Sequence, residues 1–274
     1  MQIKMEMERA PIVAGLFYPA EQAKLKGILD ALLEPQGKGE KEKALALILP
    51  HAGYVYSGKT TGMTVSRAEV PQRALLLCPN HRGIGVNCAL SPDFWRIPTA
   101  TIPRAADLCA AILNHAPMVQ EDRRAHEKEH SLEVLLPFLH AVQPSLRLAA
   151  LSLSQLSYLQ CTELAQSLSR AIQSLAAPVL VVASTDMHHF ASRAQGVEKD
   201  QLALERVLAM DAQGLFETVR NNGITMCGVL PVVLTLLIAL DRGATQAELV
   251  HYTDSGEASG DTTRVVGYAG LIVR

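Results

Sequence analysis

Four short apolar runs set the tightest limit on how this chain can fold: Ala44–Leu49, Arg73–Cys78, Leu146–Leu153 and Pro178–Ala183. Each has the length of a strand and is too uniformly apolar to leave a face in water, which is the pattern of strands covered on both sides. Helical patterns lie between and after them, at Ser57–Ala68, Ala105–His115, Glu129–Val142, Tyr158–Leu175 and Val197–Met210. This alternation predicts an α/β fold with a central mixed, largely parallel sheet flanked by helices. The tail departs from the pattern. Glu248–Thr253 and Arg264–Val273 read as two strands joined by the polar loop "DSGEASGD", an antiparallel edge to the same sheet. The longest apolar run, Cys227–Leu240, is shorter than the ~20 residues that cross a bilayer, so it predicts a buried helix.

Composition narrows the function classes. With 274 residues, 49% of them hydrophobic, the chain buries a full core as one domain spanning 1–274. A net charge of −2 gives no field that would draw it to nucleic acid or to an anionic membrane. Aromatic residues are only 4% and do not interleave with basic ones, so a stacking platform for bases is not expected. The five cysteines are odd in number and irregularly spaced, without a CxxC pair, which predicts free thiols and a reducing, cytoplasmic setting. The first residues, "MQIKMEMERAP", have no apolar stretch of signal-peptide length, and the mixed-charge Lys38–Lys43 reads as a solvated connector. Dinucleotide and nucleophile-elbow motifs are missing from the sequence, and "HEKEH" at His126–His130 has the HxxxH spacing but does not read as a zincin helix.

The chemistry-bearing residues gather at strand ends. His51 follows the first apolar run, His81 the second, and Asp186, His188 and His189 the fourth. In open α/β sheets that edge is where ligands bind, and the sheet itself brings such edges together. One histidine of this kind is ordinarily a loop or cap residue; three at equivalent edges point to a metal site, an acid–base site, or both. Gly53 and Gly83 fit either a close ligand approach or a plain turn. Cys227, placed at the start of the apolar helix, reads as a thiolate candidate, with a buried apolar cysteine as the alternative. Glu129 and His130 open a helical pattern; they fit proton carriers at a cleft rim or, more simply, a solvated first turn.

Seven blocks in order carry a family resemblance: "RAPIVAGLFYP", "PHAGYVYSG", "PNHRG", "EHSLEVLLPFL", "ASTDMHHF", "CGVLP" and "GDTTRVVGYA". Together they resemble the Memo family, protein B of the AmmeMemoRadiSam system. The resemblance implies a fold similar to class III extradiol dioxygenases, which use non-haem iron. It also implies a metal site formed by His51, His81 and Cys227, with Asp186 and His189 beside it. Asp186 would orient a ligating histidine and His189 would carry a proton, with Glu129 and His130 at the rim. Two imidazoles and a thiolate suit iron first, with copper or zinc as alternatives, and leave a position open for dioxygen, water or a substrate oxygen. Phe190 departs from the tyrosine or tryptophan often found at its position. AMMECR1-like and radical-SAM proteins are the partners the resemblance implies. The expected function is a metal-dependent redox enzyme acting on a small-molecule or peptide ligand. The alternatives are a hydrolase with Cys227 as nucleophile and His189 or His51 as base, and a non-enzymatic module that binds a peptide or partner in the same cleft.

Overall fold

The computed structural model describes residues 7–34 and 41–274. The start of the chain and part of the Lys38–Lys43 connector lie outside the described residues. In chain order the strands are β1 (Glu8–Arg9), β2 (Ala46–Leu49), β3 (Arg73–Pro79), β4 (Cys88–Leu90), β5 (Phe94–Ile97), β6 (Ala100–Ile102), β7 (Gln120–Glu121), β8 (Arg147–Leu153), β9 (Val179–Ser184), β10 (His189–Ala191), β11 (Ala247–Asp254) and β12 (Val265–Val273). Nine of them form one sheet in the order β10-β12-β2-β9-β3-β8-β4-β7, with β11 also paired to β12. Its centre, β2-β9-β3-β8, is parallel throughout. The β11–β12 pair is antiparallel, and β12 joins the sheet antiparallel to β2. The two C-terminal strands therefore extend the same sheet, as their sequence pattern predicts. A separate small sheet has the order β1-β5-β6.

Register explains why the four apolar runs have no polar face. Leu47, Val182, Leu76 and Ala150 stand opposite one another across the four central strands, and their side chains enter the core on one side of the sheet. The next row, Ile48, Ala183, Leu77 and Leu151, enters the core on the other. With period 2 and cover on both faces, every residue of these strands is buried except Arg73 and Arg147 at the starts of β3 and β8. One cover holds the helices Gln22–Leu32, Tyr54–Arg67 and Leu136–Val142, together with Trp95 and Ile97 of the small sheet. The other holds the helices Ala106–His115, Tyr158–Gln173, Arg193–Leu208, Ala212–Asn221 and Val229–Asp241. Helix Tyr158–Gln173 starts at a capping box, in which the side chains of Ser157 and Gln160 bond each other's backbone N–H groups.

Helix Val229–Asp241 is apolar nearly all round because it lies inside the second cover. Val232, Val233, Leu234, Leu236 and Ile238 are each fully buried, and each contributes roughly 1.5–3 kcal/mol of transfer free energy. Among the described residues, no helix is long and apolar enough to cross a membrane. On the opposite cover, Gly62 lets helix Tyr54–Arg67 approach the end of helix Gln22–Leu32, since a Cβ there would overlap the carbonyl of Leu32.

One predicted helix is overturned in part. The Glu129–Val142 pattern becomes a loop, a 3₁₀ turn at Glu133–Leu135, and a helix only from Leu136. Pro137 supplies one reason: in the first turn its missing N–H costs nothing, whereas inside a longer helix it would break the ladder. The acids supply the other. Glu129 accepts from the backbone N–H of His81 and of Ser131, and Glu133 accepts from Ile12 N, Val13 N, Tyr18 OH and Arg9. Both carboxylates are wholly buried, the reverse of a solvated first turn.

Candidate metal centre at the carboxyl edge of the sheet

The adjacent order β2-β9-β3 places three strand ends side by side. His51 leaves β2, Ser184 and Asp186 end and follow β9, and His81 follows β3. The loop ahead of the Glu133 turn brings His130 against them. One nitrogen from each of His51, His81 and His130 lies within 4.8 Å of the other two, a spacing at which all three could hold one metal ion. The rings of His81 and His130 are stacked at 5.0 Å, and both meet the His51 ring edge-on, at 5.2 and 5.5 Å. His51 is buried, His130 is half-buried and His81 is exposed, and all three rings line the cleft.

Each imidazole is held differently. His51 Nδ1 lies 2.7 Å from Ser184 Oγ. His81 Nδ1 lies 2.9 Å from Glu129 Oε1, and the same oxygen accepts from the Ser131 hydroxyl at 2.7 Å. Burial alone would raise the Glu129 carboxyl, but the hydrogen bonds from His81 and Ser131 outweigh it and hold the acid well below the usual range. An ionised Glu129 accepts only, so His81 donates through Nδ1. His130 stands 3.6 Å from Glu129 Oε1, beyond hydrogen-bond reach, and packs against the rings of His81, His51 and Phe17. Burial, followed by the neighbouring imidazoles His81 and His130, pushes His51 well below the ordinary histidine value; burial also lowers His130.

Cys227 sits just before helix Val229–Asp241, its Sγ 3.4 Å from His51 Nε2. It borders the triad on the His51 side and is not part of the three-nitrogen cluster. Asp186 N–H donates to Sγ at 3.2 Å. Burial, then the Asp186 charge, raises the thiol well above its usual value, against the thiolate that a helix terminus would favour. Gly228 is required here, because a Cβ would overlap the Ser184 carbonyl and the Thr185 side chain.

Asp186 holds the main chain at His51, where its Oδ1 accepts from His51 N at 2.8 Å, and it does not bond a ligand ring; Oδ2 stays 3.9 Å from His51 Nε2. Burial pushes its carboxyl up to about 7. His189 lines the cleft with Nδ1 on the Thr225 carbonyl at 2.8 Å, which leaves Nε2 as its free nitrogen. Its neighbour His188 turns into the core, where Nδ1 meets Asp200 at 2.6 Å. His126, four residues before His130, is also buried elsewhere, with Nε2 on the Ala89 carbonyl. Phe190 is exposed at a φ of 60°, with Arg264 lying over its ring.

The cleft above the imidazoles has a volume of about 780 Å³, within the usual range for small-molecule sites. Leu16, Phe17, Val55, Tyr56 and Tyr268 supply much of its wall. Leu16, Val55 and Tyr56 are exposed at its mouth. The N-terminal wall is tied down by Glu133, which gathers Ile12, Val13 and Tyr18, and by the Phe17 carbonyl, which accepts from Tyr54 N. Sequence patterns gave no sign of Ser184 or Ser131, since a serine at a strand end or in a loop has no periodic signature. His130 was visible, but only as a rim residue.

Fold and site together define the class: an α/β protein with an imidazole cluster, able to hold a metal ion, at the carboxyl edge of its parallel strands. The chain belongs to the Memo family; the sequence model of Memo-like proteins matches residues 9–272. A MEMO1 family protein of Aquifex aeolicus is 35% identical, covering 96% of this chain and 98% of its own. Another from Methanopyrus kandleri is 32% identical over 98% and 99% of the two chains. The crystal structure of an uncharacterized protein from Escherichia coli K12 superposes with a TM-score of 0.56 over 84% of this chain and 100% of that one. At 13% identity it shares the fold alone.

Proposed function

We propose that this chain is a metal-dependent oxidoreductase, its divalent ion received by His51 and His81 with His130 and Cys227 as the further donors. One observation carries the reading: three imidazole nitrogens from three separate segments meet within 4.8 Å at the base of a cleft. Nitrogen and sulfur donors fit iron(II), copper or zinc, with iron first, and do not suit magnesium or calcium. Bound there, the metal would supply Lewis-acid and electron-transfer chemistry.

The chain's own groups do the rest. Leu16, Phe17, Val55 and Tyr56 receive the apolar body of a small-molecule or peptide substrate and keep water from the imidazoles. His189 Nε2 moves a proton to or from the substrate, its ring steadied by Thr225. Glu129 holds the His81 ring, and Asp186 holds the main chain that carries His51. The family resemblance extends the reading to a class III extradiol dioxygenase type of fold, which supports oxidation over hydrolysis.

The test is elemental analysis of protein purified without oxygen, for wild type and for His51→Ala, His81→Ala, His130→Ala and Cys227→Ser. Bound metal is expected in wild type and lost in His51→Ala and His81→Ala. Unchanged metal content in every variant would refute the reading. The 3.4 Å contact of Cys227 with His51 favours a second reading, a thiol hydrolase. Activity that survives chelation and is abolished by iodoacetamide would select it.

A further inference from the structure

The three imidazoles of the cluster are not equivalent, and the difference traces to one buried serine. Ser184 is fully buried at the end of β9. Its hydroxyl donates to the Ser131 carbonyl at 2.8 Å. A carbonyl oxygen can only accept, so the single hydroxyl proton of Ser184 is committed to it. Toward His51, 2.7 Å away, Ser184 can therefore only accept. The proton shared with His51 must sit on Nδ1, which leaves Nε2 bare. That bare nitrogen is the one 3.4 Å from Cys227 Sγ.

Ser131 connects this arrangement to the second imidazole. Its N–H and its hydroxyl both donate to Glu129 Oε1, at 3.0 and 2.7 Å, while its carbonyl takes the Ser184 proton. Glu129 accepts from His81 Nδ1. One buried chain, Glu129–Ser131–Ser184, thus ends on two rings and gives both the same proton placement. His130 stands outside it and is held by ring contacts.

We propose that Ser184 is a positioning residue that fixes His51 in the Nδ1–H tautomer, so that His51 and His81 form a pinned pair and His130 is left as the adjustable member of the triad. Outer partners of this kind orient a ligand ring and set which nitrogen is free, and losing one typically weakens metal binding 10–100-fold. The effect on metal affinity rests on the metal-centre reading above; the tautomer does not.

The experiment uses full-length, metal-free protein labelled with ¹⁵N at histidine. Nitrogen shifts and two-bond couplings report which ring nitrogen carries the proton at His51, His81 and His130. Wild type is expected to show Nδ1–H at His51 and His81. In Ser184→Ala, His51 should shift to the Nε2–H form or to a mixture, while His81, still on Glu129, stays unchanged in the same spectrum as an internal reference for folding. Ser169→Ala removes a hydroxyl on helix Tyr158–Gln173 that is equally buried but has no hydrogen-bond partner, and should move neither ring. A zinc titration should give a dissociation constant 10–100-fold weaker in Ser184→Ala than in wild type. A His51 ring that is Nε2–H in wild type, or that stays Nδ1–H in Ser184→Ala, overturns the proposal. If wild type takes up no zinc, the metal-centre reading fails, and the tautomer measurement still decides the role of Ser184.

Discussion

Replacing Arg9 by methionine tests how the N-terminal wall of the cleft is held. Arg9 is 5% exposed and Glu133 is 0% exposed, and the two form a buried ion pair. The same guanidinium donates to the carbonyls of Ala10, His126 and Glu129 and lies over the Trp95 ring at 4.5 Å. Methionine fills similar volume but removes the charge and every donor. Removing one partner of a buried pair costs about 3–5 kcal/mol, mainly through the charge left behind. Glu133 keeps the N–H groups of Ile12 and Val13 and the Tyr18 hydroxyl, which places Arg9→Met near the lower end of that range. For a chain of this size a loss of about 3 kcal/mol lowers Tm by roughly 6–12 °C. If the stranded carboxylate is the cause, Glu133→Gln should relieve it, since its remaining oxygen can keep Val13 and Tyr18 while the charge is gone. In urea unfolding, the double variant should therefore lose at least about 1 kcal/mol less than the two single losses added together. Strict additivity, or an Arg9→Met loss within about 1 kcal/mol of wild type, would refute this account.

Two further outcomes follow from buried groups. Burial lowers His126 to about 4, so between that pH and 6.5 the unfolded chain binds the extra proton and stability falls as the solution is acidified. From pH 7 to pH 5 this residue accounts for a loss of about 2 kcal/mol, and unfolding of His126→Gln should show a correspondingly shallower pH dependence; an equal slope would contradict the assignment. Gly228→Ala drives a Cβ into the Ser184 carbonyl and the Thr185 side chain, so chemical denaturation should report a loss of about 1–3 kcal/mol, and a neutral result would show that the Cys227 turn has slack.

Legibility in the sequence followed the range of the interaction. The central strands were readable because burial on both faces leaves a continuous apolar run, which is local information. His51, His81, Asp186 and His189 were readable as strand-end residues for the same reason. The segment after Glu129 was misread because its apolar spacing suits a helix, while two long-range attractions, Glu129 to His81 and Glu133 to Arg9, hold the acids in a loop and a 3₁₀ turn. Pro137 was the local signal that could have shortened that helix.

The sequence by itself determined the α/β alternation, the buried central strands, and the arrival of imidazoles at their carboxyl ends, because period and hydropathy are written residue by residue. Only the tertiary structure decided that β9 lies between β2 and β3, that His130 closes the triad, and that Ser184 and Glu129 meet Nδ1 of two different rings. Those meetings depend on strand order and on long crossovers between strands, whose energy comes from packing two covers onto one sheet, and no short stretch of chain records it.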